Sequence, residues 1–317
     1  MTHRFGSIAV VGAGAVGSFY GAMLARAGHK VTLTGRPQHV DAIERDGLRL
    51  DMGGTVEAIR VAARTDLAAV RGADLILFCV KSTDTESTAR AMAPLLAPHA
   101  VVLSLQNGVE NAALIGRHVR QFVVPAVVYV ATALAAPGTV RHFGRGELLI
   151  GAASPQAAQD AALAERLDDI AALFATAGIA VTVSANVMAE LWSKLLVNCA
   201  YNAISALAQA PYARLAALLE VRAVQQAIVH EVIAVAAADG VALSLDASLQ
   251  ATHNIAATMP GQLSSTAQDV ARRRQSEIDH LNGFVMRRGQ ALGVPTPVNQ
   301  TLHALVKLVE AGYGHRA

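Results

Sequence analysis

The chain has 317 residues, of which 53% are hydrophobic, 16% charged and 4% aromatic, with a formal net charge of +2. That is length for two domains of ordinary size with a core in each, and it excludes a disordered chain. The near-balanced charge gives no ground for a nucleic-acid or anionic-membrane partner. Cys79 and Cys199 are the two cysteines, each inside an apolar segment, which argues against a disulfide scaffold and points to a reducing cytoplasm.

In chain order, Ser7–Val11 predicts a strand running into glycines rather than the apolar core of a secretory signal. A helix follows over Val16–Ala27, closed by Gly28, then a strand at Lys30–Thr34 and a helix at Gln38–Arg45. Gly53-Gly54 separates Leu48–Asp51 from Thr55–Val61, the pattern of a hairpin. Asp74–Val80 reads as a buried strand, Thr85–Leu96 as a helix and Val101–Leu105 as another buried strand, followed by Gln106-Asn107-Gly108 and a short helix. The region Val123–Ile150 reads as several strands broken by Pro137-Gly138, Gly144 and Gly146. Its apolar part, Phe122–Ala136, is the longest such stretch, short of the ~20 residues that span a bilayer, so a soluble protein is expected. A helix at Gln156–Ala175 and a strand at Ile179–Val183 complete this part. From Asn186 onward the chain reads as helices punctuated by Pro211, Gly240, Pro260-Gly261 and Pro295/Pro297. Strands alternating with helices imply right-handed crossovers and a mainly parallel sheet. The fold class is therefore α/β: a Rossmann-type doubly wound sheet over residues 1–184 and an all-helical domain over residues 185–317.

Gly12-Ala13-Gly14-Ala15-Val16-Gly17 is G-x-G-x-x-G with a strand before it and a helix after it, the context that gives the string meaning. Gly12 permits the tight turn, Gly14 lets a pyrophosphate approach, and Gly17 lets the helix pack close to the strand. The helix N-terminus supplies N–H groups and a favourable dipole for phosphate. At the end of the second strand, where an NAD site usually carries an acid, the sequence has Thr34-Gly35-Arg36. Arg36 is either a cation for a 2′-phosphate or a solvated surface arginine, and Lys81, immediately after the strand that ends at Val80, carries the same two readings. NADP(H) is the cofactor that this pattern favours.

Lys194, Asn198 and Asn202 recur every four residues among Leu191, Leu195, Leu196, Val197, Cys199 and Ala203. On a helix they share one face, a polar stripe in a greasy element that is either a cleft lining or a snorkelling lysine with two locally bonded amides. A lysine suits reduction of a ketone, because an ammonium stabilises the developing alkoxide and protonates it. Ser265 and Gln268 have capping-box spacing, and a helix N-terminus also welcomes a substrate carboxylate. Glu277 follows Asp269 and Arg273 at four-residue steps, which also fits a surface ion pair on one helix. Asn107 sits on the carboxyl side of a buried strand, as a turn or as a ligand contact. The histidines show no paired ligand spacing, so no metal is expected.

The stretches VGAGAVGSFYGAMLARAGHKVTL, FCVKSTDT, LQNGVEN, ELWSKLLVNCAYNAISAL, SSTAQDVARRRQSEIDHLNG and GVPTPVN occur in this order, and with them the chain resembles the ketopantoate reductases (2-dehydropantoate 2-reductases). The resemblance implies NADPH-dependent reduction of 2-dehydropantoate to pantoate, a step toward coenzyme A. It makes Lys194 the general acid and Glu277 the second key polar residue, holding the substrate hydroxyl. Asn107, Asn198, Asn202 and Ser265 would bind substrate, and Arg36 and Lys81 would contact the 2′-phosphate. It further implies a helical second domain of the 6-phosphogluconate dehydrogenase-like type, with the active site in the cleft between domains. Two other readings stand beside it: a reductase of a different small 2-oxo acid, and an NADP(H)-binding sensor without turnover. The oligomeric state is open, a homodimer included.

Overall fold

The computed structural model describes residues 4–313. The chain divides into two compact units, Met1–Met188 and Ala189–Ala317.

The first unit is built on a ten-stranded sheet. Its strands are β1 (Ile8–Val11), β2 (Val31–Thr34), β3 (Leu48–Asp51), β4 (Val56–Ile59), β5 (Ala62–Arg64), β6 (Leu75–Phe78), β7 (Val101–Ser104), β8 (Phe122–Ala136), β9 (Thr139–Ile150) and β10 (Val181–Val183). Along the sheet they run β4-β3-β9-β8-β7-β6-β1-β2-β5, with β10 beside β9. The stretch β5-β2-β1-β6-β7-β8 is parallel throughout and has the Rossmann order, with the chain reversing direction across the sheet at β1. Every residue of β1, β6 and β7 is buried, as continuous apolar runs covered on both faces require.

The helices of this unit are α1 (Ala15–Arg26), α2 (Pro37–Asp46), α3 (Thr85–Met92), α4 (Asn111–Gly116) and α5 (Ala161–Thr176). Residues Gly17 to Leu24 of α1 are all buried, so this helix is enclosed rather than amphipathic. On α2, by contrast, His39, Val40, Ala42 and Ile43 face inward and the charged residues face out.

One expectation is corrected here, and one strand is added. Gly144 and Gly146 do not break the Val123–Ile150 region into several strands; β8 and β9 form one long antiparallel pair. The irregular residues are absorbed by register shifts between Tyr129/Val130 and Ala131/Thr132, with Arg145 at φ 61° between the two glycines. The short strand β5, which completes the parallel series, has too little sequence to signal itself.

The second unit is helical: α6 (Val187–Ala208, beginning at the unit boundary), α7 (Tyr212–Ala216), α8 (Leu219–Ala238), α9 (Leu245–Thr258), α10 (Ser265–Ala271), α11 (Asn282–Leu292) and α12 (Pro297–Ala311). The apolar stretch Phe122–Ala136 is strand β8, whereas among the described residues one helix, α8, is by length and composition apolar enough to cross a membrane. Its Ile228, Val229, Val232, Val235 and Ala236 are buried, and it packs on α9, α11 and α12. Glu231 of α8 caps α12, accepting from the N–H groups of Val298 at 2.8 Å and Asn299 at 3.0 Å.

Candidate active site

In the first unit the glycine loop joins β1 to α1. Gly12 has φ +101°, and a β-carbon there would stand 2.7 Å from Val80 N and from the Cys79 carbonyl carbon. On Gly17 it would stand 2.2 Å from the Gly12 carbonyl oxygen, so helix and loop meet at a distance only glycine allows. Gly14 differs: a β-carbon there meets no protein atom within 4 Å. Gly14 is the N-cap of α1 and gives it no side-chain hydrogen bond, so Ala15 and Val16 open the helix beside a vacant approach. The loop is anchored by Gly12 N and Ala13 N, which donate to Thr34 O at 3.1 and 2.7 Å. Bare helix N–H groups beside an open glycine are the cradle that a dinucleotide pyrophosphate fits.

Arg36 is exposed at the N-cap of α2, two residues beyond Thr34. Lys81 is exposed at the start of the 3-10 turn Ser82–Asp84, just beyond β6. The strands β2 and β6 that carry these cations flank β1 on its two sides. Asn107, half-buried, follows β7 at the same carboxyl edge.

A buried polar ring fixes the loops of Lys81 and Asn107. The Gln106 amide donates to Val80 O at 3.0 Å and to Thr85 Oγ1 at 2.7 Å. Thr85 donates to Asn111 Oδ1 at 2.9 Å, and the Asn111 amide donates to Asn107 O at 2.6 Å and Ser82 Oγ at 3.2 Å. Every member is satisfied by another, which rigidifies both loops at once. Sequence reading singled out Asn107 alone. The missed signal was the pair of amides, Gln106 and Asn111, flanking it after a buried strand.

In the second unit α6 carries Lys194, Asn198 and Asn202 on one face, with Lys194 and Asn198 half-buried and Asn202 buried. Trp192, Leu195, Leu196, Cys199, Ala200 and Ala203 fill the core around them. Asn202 Nδ2 stands 3.5 Å from Ser265 Oγ, which brings two of the expected substrate residues together. The cap of α10 is Ser264 rather than Ser265. Its hydroxyl accepts from Ala267 N at 3.0 Å and donates to Asn202 O at 3.2 Å. Gln268 closes no capping box and donates instead to Leu263 O. Ser265 is thus an exposed first-turn residue whose hydroxyl is not spent on its own helix.

Glu277 is not on one helix with Asp269 and Arg273. α10 ends at Ala271, Arg273 turns at φ 52°, and Glu277 precedes a 3-10 turn, Ile278–His280, so the helix-surface arrangement of the three does not form. The segment is held to α6 by Asn282 Nδ2, which donates to Cys199 O at 3.2 Å, and by Phe284, whose ring lies 5.6 Å from that of Trp192. A cavity of about 390 Å³ also opens in this unit, lined by Tyr201, Arg222, Gln225, Asp246 and His253; it contains none of the expected site residues.

Comparison with known proteins agrees with both halves of this description. The family model described as ketopantoate reductase PanE/ApbA matches residues 8–155, and its C-terminal counterpart matches residues 186–310. The 2-dehydropantoate 2-reductase of Halobacterium salinarum is 36% identical over 96% of this chain and 98% of its own. A crystal structure of a PanE/ApbA family ketopantoate reductase from Ralstonia eutropha JMP134 is 54% identical, with a TM-score of 0.90 over 98% of this chain and 100% of that one. The ternary structure of D-mandelate dehydrogenase with NADH and anilino(oxo)acetate also reaches a TM-score of 0.90, at 25% identity, over 98% of this chain and 100% of that one. Glycine loop, lysine–asparagine stripe and end-to-end relatives lead to one assignment: the chain belongs to the ketopantoate reductase family.

Proposed function

We propose that the protein is an NADPH-dependent reductase of 2-dehydropantoate, producing (R)-pantoate in the cytoplasm on the way to coenzyme A. The observation that carries this reading is the Lys194–Asn198–Asn202 stripe on a largely apolar helix, joined by Ser265 at its buried end. Residues Gly12 to Gly17 would hold the pyrophosphate and Arg36 and Lys81 the 2′-phosphate, and Asn107 would contact both cofactor and substrate. NADPH, when bound, supplies the hydride for the 2-oxo carbon. The Lys194 ammonium hydrogen-bonds the substrate 2-oxo oxygen, stabilises negative charge as it develops there, and donates a proton to it. Asn198, Asn202 and Ser265 orient the substrate through its carboxylate and oxygen atoms. Glu277 accepts a hydrogen bond from the substrate hydroxyl and thereby favours a hydroxylated 2-oxo acid. The free thiols of Cys79 and Cys199 support the cytoplasmic placement.

The second reading, reduction of another 2-oxo acid by the same residues, is favoured by the fold shared with D-mandelate dehydrogenase. NADPH oxidation with 2-dehydropantoate and a panel of 2-oxo acids separates the two. Selective turnover of 2-dehydropantoate supports the first, and turnover of a different acid alone replaces it. Lys194→Ala is expected to lower kcat by ~10²–10⁴ with NADPH binding retained; an unchanged kcat would refute the acid role.

A further inference from the structure

An acid in the last turn of a helix opposes the helix dipole, and a buried carboxylate is costly unless its oxygens are satisfied. Glu310 is such an acid, in the last turn of α12 with its side chain 4% exposed. Its Oε1 accepts two hydrogen bonds from one residue, Ser276: from the backbone N–H at 2.8 Å and from the hydroxyl at 2.6 Å. Lys307 Nζ stands 3.3 Å from Oε2 as an ion pair. Ser276 Oγ in turn accepts from Ile278 N at 3.3 Å. The residues on either side of Glu277 are therefore tied to one buried carboxylate, Ser276 directly and Ile278 through the serine hydroxyl.

The grip continues along the same face of α12. His303, Lys307 and Glu310 fall at i, i+4 and i+7, which stacks them on one side of the helix. His303 Nε2 lies 2.6 Å from Asp279 Oδ1, and Lys307 Nζ donates to Asp279 Oδ2 at 2.8 Å. Burial opposes ionisation of Asp279, yet the hydrogen bonds from His303 and Lys307 prevail and hold its carboxyl below the usual carboxylate range. Upstream, Arg273 donates to Gly312 O at 3.0 Å and Tyr313 O at 3.2 Å. Three side chains of α12 thus seize Ser276 and Asp279 while Glu277, between them, is left half-exposed.

We propose that Glu310 is a positioning residue for Glu277, aiming its carboxylate at the substrate by fixing Ser276; this rests on the reading of Glu277 given under the proposed function. Displacing a catalytic or binding group by ~1 Å can cost up to about a hundredfold in rate, so the effect belongs in turnover rather than in cofactor affinity.

The test is a set of single and double variants of the full chain, assayed with NADPH and the 2-oxo acid it reduces. Glu310→Ala and Ser276→Ala are expected to lower kcat by roughly ten- to a hundredfold with KM for NADPH unchanged. Glu310→Gln, which keeps an oxygen to accept from Ser276, is expected to stay close to the wild-type kcat. On a Glu277→Gln background, adding Glu310→Ala or Ser276→Ala should lower kcat no further, because no carboxylate remains to aim. Losses as large on that background as alone would overturn the proposal and leave Glu310 a purely structural residue. A wild-type kcat in Ser276→Ala would overturn it equally, and decides the matter should Glu310→Ala fail to fold. A wild-type kcat in Glu277→Gln would instead remove the role given to Glu277 itself, an outcome distinct from additive losses.

Discussion

Nδ1 of buried His39 accepts a hydrogen bond from the backbone N–H of Gly138 at 2.8 Å. The acceptor role leaves the ring proton on Nε2, which lies 3.1 Å from Ser18 Oγ, and that hydroxyl donates to Ala13 O in the glycine loop at 3.2 Å. The chain of bonds requires a neutral ring, and burial holds the His39 pKa below the ordinary histidine value. In the unfolded chain the same ring takes up a proton near pH 6.5. Below that pH the unfolded state binds a proton that the native state refuses, so this contribution to stability is whole above it and shrinks as pH falls. Denaturant midpoints measured from about pH 8 to about pH 5 should fall more steeply for the wild type than for His39→Asn, whose side-chain oxygen still accepts from Gly138. Equal slopes would show that His39 is protonated in the fold.

The exposed guanidinium of Arg36 should matter for one dinucleotide and not for its dephospho form. Arg36→Ala is expected to weaken NADPH by about 1.5–3 kcal/mol, the worth of a charge-assisted hydrogen bond, and to leave NADH nearly unaffected. Fluorescence titration of both cofactors checks this. Equal losses for both would remove the 2′-phosphate role, and Lys81→Ala provides the parallel measurement.

Gly14 and Gly17 separate binding from folding within one loop. Gly14 has φ −74° and open space where a β-carbon would go, so Gly14→Ala should keep its stability within about 0.5 kcal/mol while losing dinucleotide affinity. Gly17→Ala would drive its methyl into the Gly12 carbonyl and Val10, and should lose at least the ~1–3 kcal/mol of an overpacked core. Thermal melts and NADPH titration distinguish the two, and a destabilised Gly14→Ala would contradict the open approach.

Adjacent serines divide their work in the same way. Ser264→Ala removes the cap of α10 and is expected to cost about 0.5–2 kcal/mol, seen as a lower melting temperature. Ser265→Ala should melt like the wild type and raise the substrate KM instead. The opposite assignment of effects would return the capping role to Ser265.

The parallel core of the first unit was legible because its strands are continuous apolar runs and its glycine loop has few alternative uses. The four-residue spacing of Lys194, Asn198 and Asn202 was legible because periodicity survives in a long helix. The serine cap was missed by one residue, since two adjacent serines satisfy the same local pattern and only packing on Asn202 and Ser205 selects Ser264. The four-residue steps from Asp269 through Arg273 to Glu277 left a shared helix open as an alternative, because nothing local announces that Arg273 will adopt a left-handed conformation. The bonds between Glu310 and Ser276 join positions 34 residues apart, beyond any periodic signal.

The amide of Gln106 has a last consequence. It and its partners bind the loop after β6 to the loop after β7, so neither can loosen without breaking bonds that hold the other. Lys81 on one loop and Asn107 on the other therefore share a single opening equilibrium. In hydrogen exchange their amides should trade protons in step, and a cofactor that steadies the first loop would slow exchange in the second as well.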